Sequence, residues 1–136
     1  MPYNFTDSWL VKGEKFMSIA INTHFVPFKL DLQEKKPVRM DVEVVNRYLE
    51  PKKVRVEIIA GNQLGLNKTI AAKENFEIGL LSPGETKTIQ LDVFPKNYSV
   101  KGEEKIGIIA TEITIEQSGY AYPSKKFKKI VELQIK

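Results

Sequence analysis

The stretch Leu81-Ser82-Pro83-Gly84-Glu85, running on through Thr86-Lys87-Thr88-Ile89-Gln90-Leu91-Asp92-Val93, limits what this chain can become more than any other. Pro83 presets φ for the second position of a tight turn, and Gly84 accepts the positive φ that can follow it. Beyond Glu85 the period is two. Ile89, Leu91 and Val93 share one parity, and Thr88, Gln90 and Asp92 the other, as in a strand with one dry and one wet face. Such strands belong to antiparallel sheets, because parallel sheets are covered on both faces and read as unbroken apolar runs.

The same period recurs along the chain. Val38, Met40, Val42 and Val44 alternate with Arg39, Asp41 and Glu43 up to Asn46, and Val54, Val56, Ile58 and Ala60 alternate with Arg55 and Glu57. Phe76, Ile78 and Leu80 alternate with Glu77 and Gly79 and lead into the Pro-Gly turn. Phe25 to Leu30 reads as a strand whose Pro27 confines it to an edge or a kink. Residues 61–75 read as a loop with a short edge strand near Lys68–Ala71. In the candidate strand Lys105–Gln117, Ile106 and Ile108 share one parity and Ile109, Thr111, Ile113 and Ile115 the other. That switch implies either a central strand buried on both faces or a bulge near Ile108 and Ile109. Ser118–Pro123 is turn-rich, and a last strand follows from Lys125 to Ile135 with Phe127, Val131, Leu133 and Ile135 on one face.

Residues 8–21 lack clean alternation. Gly13 and the β-branched residues near Ile21 argue against a helix capped at Asp7 or Ser8, and two short strand pieces are preferred. The pattern therefore predicts an all-β, antiparallel β-sandwich of seven to eight strands in one domain over residues 1–136. Residues 1–24 would form an N-terminal extension or first strand, and residues 25–136 the sandwich core. The inward side chains Ile89, Leu91 and Val93 are expected to meet Val42, Val56 and Ile113.

A chain of 136 residues with 42% hydrophobic and 28% charged residues can bury a core without metal or disulfide staples. No run is long enough to span a bilayer, and residues 1–7 lack the basic region and apolar core by which a signal peptide would be visible. The expectation is cytoplasmic, or extracellular if the chain is a domain trimmed from a longer one. The charge balance of +4 is mild and permits an anionic partner without demanding one. Lys and Glu outnumber Arg and Asp, a bias compatible with a thermophilic source.

The segments Val42–Asn46 and Leu81–Val93 together resemble immunoglobulin-like sandwiches of the fibronectin type III and CARDB kind. There the second strand commonly ends in Asn, and a Pro-Gly turn feeds the fifth. Arg47-Tyr48-Leu49-Glu50 departs from the small residues often found after that Asn, and no Cys–Trp–Cys framework exists; Trp9 lies outside the matched region. The resemblance implies an adhesion, scaffolding or binding module with no catalytic set to carry over.

The residue inventory points the same way. Absence of cysteine removes disulfides, thiolate metal sites and cysteine nucleophiles, and a single histidine, His24, is too few for copper or histidine-rich iron sites. No serine lies in a nucleophile-elbow sequence, and neither G-x-G-x-x-G nor a Walker motif occurs. The pairs Glu103–Glu104 and Glu112 with Glu116 read as solvated carboxylates, the latter on an outward strand face. Asn4–Thr6, Asn67–Thr69 and Asn97–Ser99 match the glycosylation acceptor pattern, which arises often by chance. Neither an enzyme nor a cofactor or metal is expected.

One region is singled out as an interaction surface. Tyr120, Tyr122 and Pro123 sit before the last strand, where tyrosines offer large contact area at low entropic cost. Lys125, Lys126 and Lys128, with Lys129, follow them. The favoured reading is a non-catalytic module that binds another protein, as an accessory subunit or cell-surface domain. The alternative is nucleic-acid or polyanion binding through Tyr120–Lys129, by phosphate pairing and base stacking. Against that alternative, alternation splits the four lysines between two faces, where they equally serve to keep an edge strand from aggregating. An unpaired edge or the Trp9 segment could also support a homodimer.

Overall fold

The computed structural model describes residues 17–136. Trp9, Gly13, the caps considered at Asp7 and Ser8 and the Asn4–Thr6 triplet lie outside the described residues. Every regular element within them is a strand: β1 (Ile19–Val26), β2 (Lys29–Leu30), β3 (Val38–Asn46), β4 (Lys52–Ala60), β5 (Leu64–Leu66), β6 (Lys73–Leu81), β7 (Thr86–Pro95), β8 (Gly102–Ile115) and β9 (Ala121–Ile135). They form two sheets, in the orders β1-β3-β7-β5 and β2-β9-β8-β4-β6. This is an immunoglobulin-like sandwich, with seven long strands and two short ones. All pairings are antiparallel except that of β2 with β9.

The core is the meeting of the two inner faces. On β3 and β7 the alternating residues stand opposite each other, Val38 with Val93, Met40 with Leu91 and Val42 with Ile89. They pack with Val54, Val56 and Ile58 of β4, Ile106, Ile108 and Ala110 of β8, and Leu133 and Ile135 of β9. The Pro-Gly turn forms as expected: Glu85 N–H donates to Ser82 C=O at 2.9 Å and Gly84 sits at φ 78°, a conformation that costs a side-chain-bearing residue.

Asn46 fastens that turn to the rest of the fold. It is fully buried. Its side-chain N–H groups donate to the carbonyls of Glu50 and Leu81, each at 2.9 Å, and its Oδ1 accepts from Tyr48 N–H at 2.8 Å. Its backbone carbonyl accepts from Gly84 N–H at 2.8 Å, and its own N–H donates to Glu85 C=O at 3.1 Å. A buried amide is tolerated when it is satisfied in this way.

Four expectations are corrected. Phe25–Leu30 is not one strand, although both of its pieces lie at sheet edges, as Pro27 implied. β1 begins at Ile19 and stops at Val26, and after Pro27, which has no N–H to give a ladder, the chain enters the other sheet as β2, beside Gln134 and Ile135. The short strand of the 61–75 loop is Leu64–Leu66 rather than Lys68–Ala71. Leu64 and Leu66 are fully buried against β7, whereas Asn67 and Ile70 take positive φ in the turn that follows.

The last two corrections concern parity. In β6 the ladder to β4 skips Ile78, since Val54 faces Gly79 and Arg55 faces Glu77. Gly79, at φ 83°, forms a bulge that flips the following residues. Leu81 therefore enters the core at 0% exposure, while Leu80, expected on the dry face, is 64% exposed. In β8 the ladder is regular through Ile108 and Ile109, so of the two alternatives the central strand buried on both faces holds and no bulge lies there. β8 is the middle strand of its sheet, and Ile113, expected opposite Ile89, lies on the outer face between Lys53 and Pro123. Leu81→Ala is expected to cost about 2–5 kcal/mol in urea unfolding, and Leu80→Ala no more than about 0.5 kcal/mol. Equal losses would contradict the bulge at Gly79.

Candidate interaction surface

β9 begins earlier than its sequence indicated. The turn closes at Glu116–Tyr120, with Glu116 N–H donating to Tyr120 C=O at 2.8 Å, and Tyr122 and Pro123 already belong to the strand, opposite Thr114 and Ile113. The register then slips. Glu112 pairs with Lys125 and Ile113 with Pro123, leaving Ser124 unpaired as a bulge. A proline is compatible with a strand beside such an irregularity.

This bulge sorts the predicted residues onto different sides. Tyr120 is exposed and stacks on Tyr122, with ring centroids 5.9 Å apart and planes at 23°. Lys125 faces inward, and its Nζ lies 5.3 Å from the Phe127 ring centroid, a distance at which cation and ring attract. Lys126 and Lys128 stand on the outer face, opposite Thr111 and Ile109. Lys129 faces inward and donates to Ile21 C=O of β1 at 3.0 Å. The tyrosines and the outer lysines are therefore neighbours along the strand without sharing one face.

Lys126 borders two openings. One is a cavity of about 360 Å³ on the outer face, lined also by Arg55, Glu57, Asn75, Glu77, Ile109 and Thr111. There Arg55 pairs with Glu77 at 2.7 Å, and Glu57 with Lys73 at 3.3 Å. The other is an open groove of about 440 Å³ between the flanks of β1 and β9, lined by Ile19, Ile21 and Lys126–Lys129. None of Lys125, Lys126, Lys128 and Lys129 has a carboxylate in ion-pair range among the described residues.

Two polar clusters were not anticipated. His24 is a strand residue of β1 with an exposed side chain. Its Nε2 lies 3.2 Å from Asp41 Oδ2, while Asp41, nearly buried, also holds Arg39 through both carboxylate oxygens at 3.1 and 3.2 Å. The second cluster overturns the solvated reading of Glu112, which is 6% exposed. Glu112 shares the parity of Ile106 and Ile108, the sequence signal that it points inward. Its Oε1 lies 3.4 Å from Lys52 Nζ and accepts from Ser124 Oγ at 3.4 Å. Lys52 Nζ also reaches Glu50 Oε1 at 2.9 Å and lies 4.5 Å from the Tyr48 ring centroid. Its bond to Glu50 holds the Lys52 ammonium above its ordinary range, against the opposing effect of burial. Burial, and then the Glu112 carboxylate beside it, push the Tyr48 hydroxyl up to about 12.

Neither cluster assembles a nucleophile, base and orienting group, and no group of three metal-ligating side chains occurs among the described residues. No helix there is long and apolar enough to cross a membrane.

No protein-family model and no curated protein matches the chain. Among solved structures it is similar to native alpha-2-macroglobulin from Escherichia coli, spanning the residues from domain MG7 to the C-terminus. The TM-score is 0.57 and the identity 15%, over 89% of this chain and 17% of that one. The chain thus corresponds to a small part of that larger protein. It is also similar to AvmM, which catalyses macrocyclization in alchivemycin A biosynthesis, with a TM-score of 0.48 and 9% identity over 87% of this chain and 89% of that one. The first likeness is one of fold alone.

The Tyr48–Glu112 contact makes a specific alkaline prediction. Because Tyr48 holds its proton more tightly when folded, the stability it contributes is complete below its ordinary 10.0 and is lost as pH rises toward about 12. In an ultraviolet titration one phenol should ionise near 12. Tyr48→Phe should remove that step and Glu112→Gln should lower it. A titration unchanged by Glu112→Gln would contradict the contact.

Proposed function

We propose that this chain is a non-catalytic binding module that engages another protein through the first half of β9, around Tyr120, Tyr122, Pro123, Lys125, Lys126 and Lys128. One observation carries the reading. β9 is bonded to β8 along one edge, but along the other, among the described residues, only Gln134 and Ile135 meet a strand. Most of a long strand therefore keeps a row of backbone donors and acceptors with no described strand beside it, flanked by lysines that have no carboxylate partner among the described residues and by a tyrosine stack. Unpaired edges are a template for another chain, and stacked tyrosines are a rigid contact surface. The resemblance to fibronectin type III and CARDB domains agrees with this reading, as does the immunoglobulin-like fold.

Polyanion binding is the less favoured use of the same residues. Lys126 shares its cavity with Glu57 and Glu77, and the lysines divide between two faces, so no continuous basic stripe forms to follow a phosphate backbone. A nuclease-treated lysate of the source cells separates the two. At physiological salt the wild type should retain a protein partner that the triple variant Tyr120→Ala, Tyr122→Ala, Lys126→Glu loses. Equal capture by both, or retention abolished by the nuclease, would overturn the reading.

A further inference from the structure

We propose that the β9 edge between Ser124 and Lys128 receives an extended segment of a partner protein as an added strand, and that this segment alternates acidic with apolar residues. The inference rests on the reading of β9 as a binding surface and adds the mode and the chemistry of what binds.

The mode follows from the backbone. A strand with one free edge offers main-chain hydrogen bonds to an extended peptide, while side chains on its two faces set the specificity. The chemistry follows from what flanks the edge. On the outer face an incoming side chain meets Lys126 and Lys128, which have no carboxylate partner among the described residues. On the inner face it meets the groove whose apolar lining is Ile19, Ile21 and Phe127, bordered by Lys126, Lys128 and Lys129. Lys125 and Lys129, the lysines of inward parity, are engaged with the Phe127 ring and with Ile21 C=O. The Lys129 tether to β1 marks where the open stretch ends. Division of the lysines between two faces, an objection to a phosphate-binding stripe, is what an added strand requires, because it presents alternate side chains to both faces.

The same lysines reject a second copy of β9. Antiparallel self-pairing centred on Phe127 sets Lys126 against Lys128 and Lys125 against Lys129, and like charges directly opposite are destabilising. The other long edge of this sheet, β6, carries Glu74 and Glu77 but is blunted. Its ladder is bulged at Gly79, and Lys87 Nζ lies on the Ile78 carbonyl at 3.2 Å.

The test uses a short synthetic peptide alternating glutamate and valine, and the same peptide N-methylated at alternate amides so that one edge keeps its charge but loses its donors. By titration calorimetry at low salt the first should bind and the second should bind about tenfold more weakly or not at all. Lys126→Glu with Lys128→Glu, an exposed pair whose fold is checked by circular dichroism, should abolish binding of the first. Light scattering should show one protein chain per complex. Equal binding of both peptides would reduce the edge to a charged patch and overturn strand addition. Growth of the scattering mass with protein concentration, dependent on Lys126 and Lys128, would assign the edge to a second copy. Absence of peptide binding, with partner capture from lysate still lost in the Tyr120, Tyr122 and Lys126 variant, would overturn strand addition and leave protein binding standing. Loss of both would remove the two together.

Discussion

The buried side chain of Asn46 is the constraint on which this fold closes. One amide ties the end of β3 to the loop that enters β4 and to the turn that enters β7, through bonds to Glu50, Leu81 and Tyr48. An apolar side chain there would leave two buried carbonyls and an N–H without partners, each costing about 1–3 kcal/mol. Aspartate would offer acceptors where two donors are needed. The adjacent Lys52, Tyr48 and Glu112 brace the same loop against β8 and the bulge in β9. Thus one end of the sandwich is fixed by two polar clusters, and the alternating strands hanging from it supply the apolar core.

The four sheet edges end differently, and the difference locates function. β1 is cut short at Pro27 and replaced in the other layer by β2. β5 has only three residues. β6 is bulged and partly covered by Lys87. Among the described residues, β9 alone of the long edge strands keeps a stretch of backbone with no strand beside it that is bordered by cations no carboxylate neutralises. Charged edges protect β proteins from pairing with themselves. On β9 that protection leaves a preference for a partner of the opposite charge, so resistance to self-association and selectivity for another protein arise from the same side chains.

Much of this architecture was legible in the sequence because its signals are local. Alternation in β3, β4 and β7 named the core residues, and Pro83-Gly84 named the turn. What escaped was set by one residue acting on parity or by contacts distant in sequence. Gly79 read as a wet-face position, yet its positive φ exchanges Leu80 for Leu81 in the core. Leu64 and Leu66 sat in a stretch rich in turn residues and read as loop. Glu112 carried the parity of Ile106 and Ile108, but a charge at an inward position is credible only when its partners are known, and Lys52 and Tyr48 lie far back in the chain. For the surface, the sequence named Tyr120–Lys128 as residues; that they border a free edge depends on strand order, which no local pattern encodes.

Residue-resolved amide exchange on the free protein distinguishes an open β9 edge from a covered one. Alternate amides between Ser124 and Lys128 should exchange quickly, because those facing β8 are bonded and those facing outward are not. The amides of β8 from Ile106 to Ile113, flanked on both sides by β4 and β9, should be protected. Uniform protection along β9 would show its edge already covered and would contradict the account.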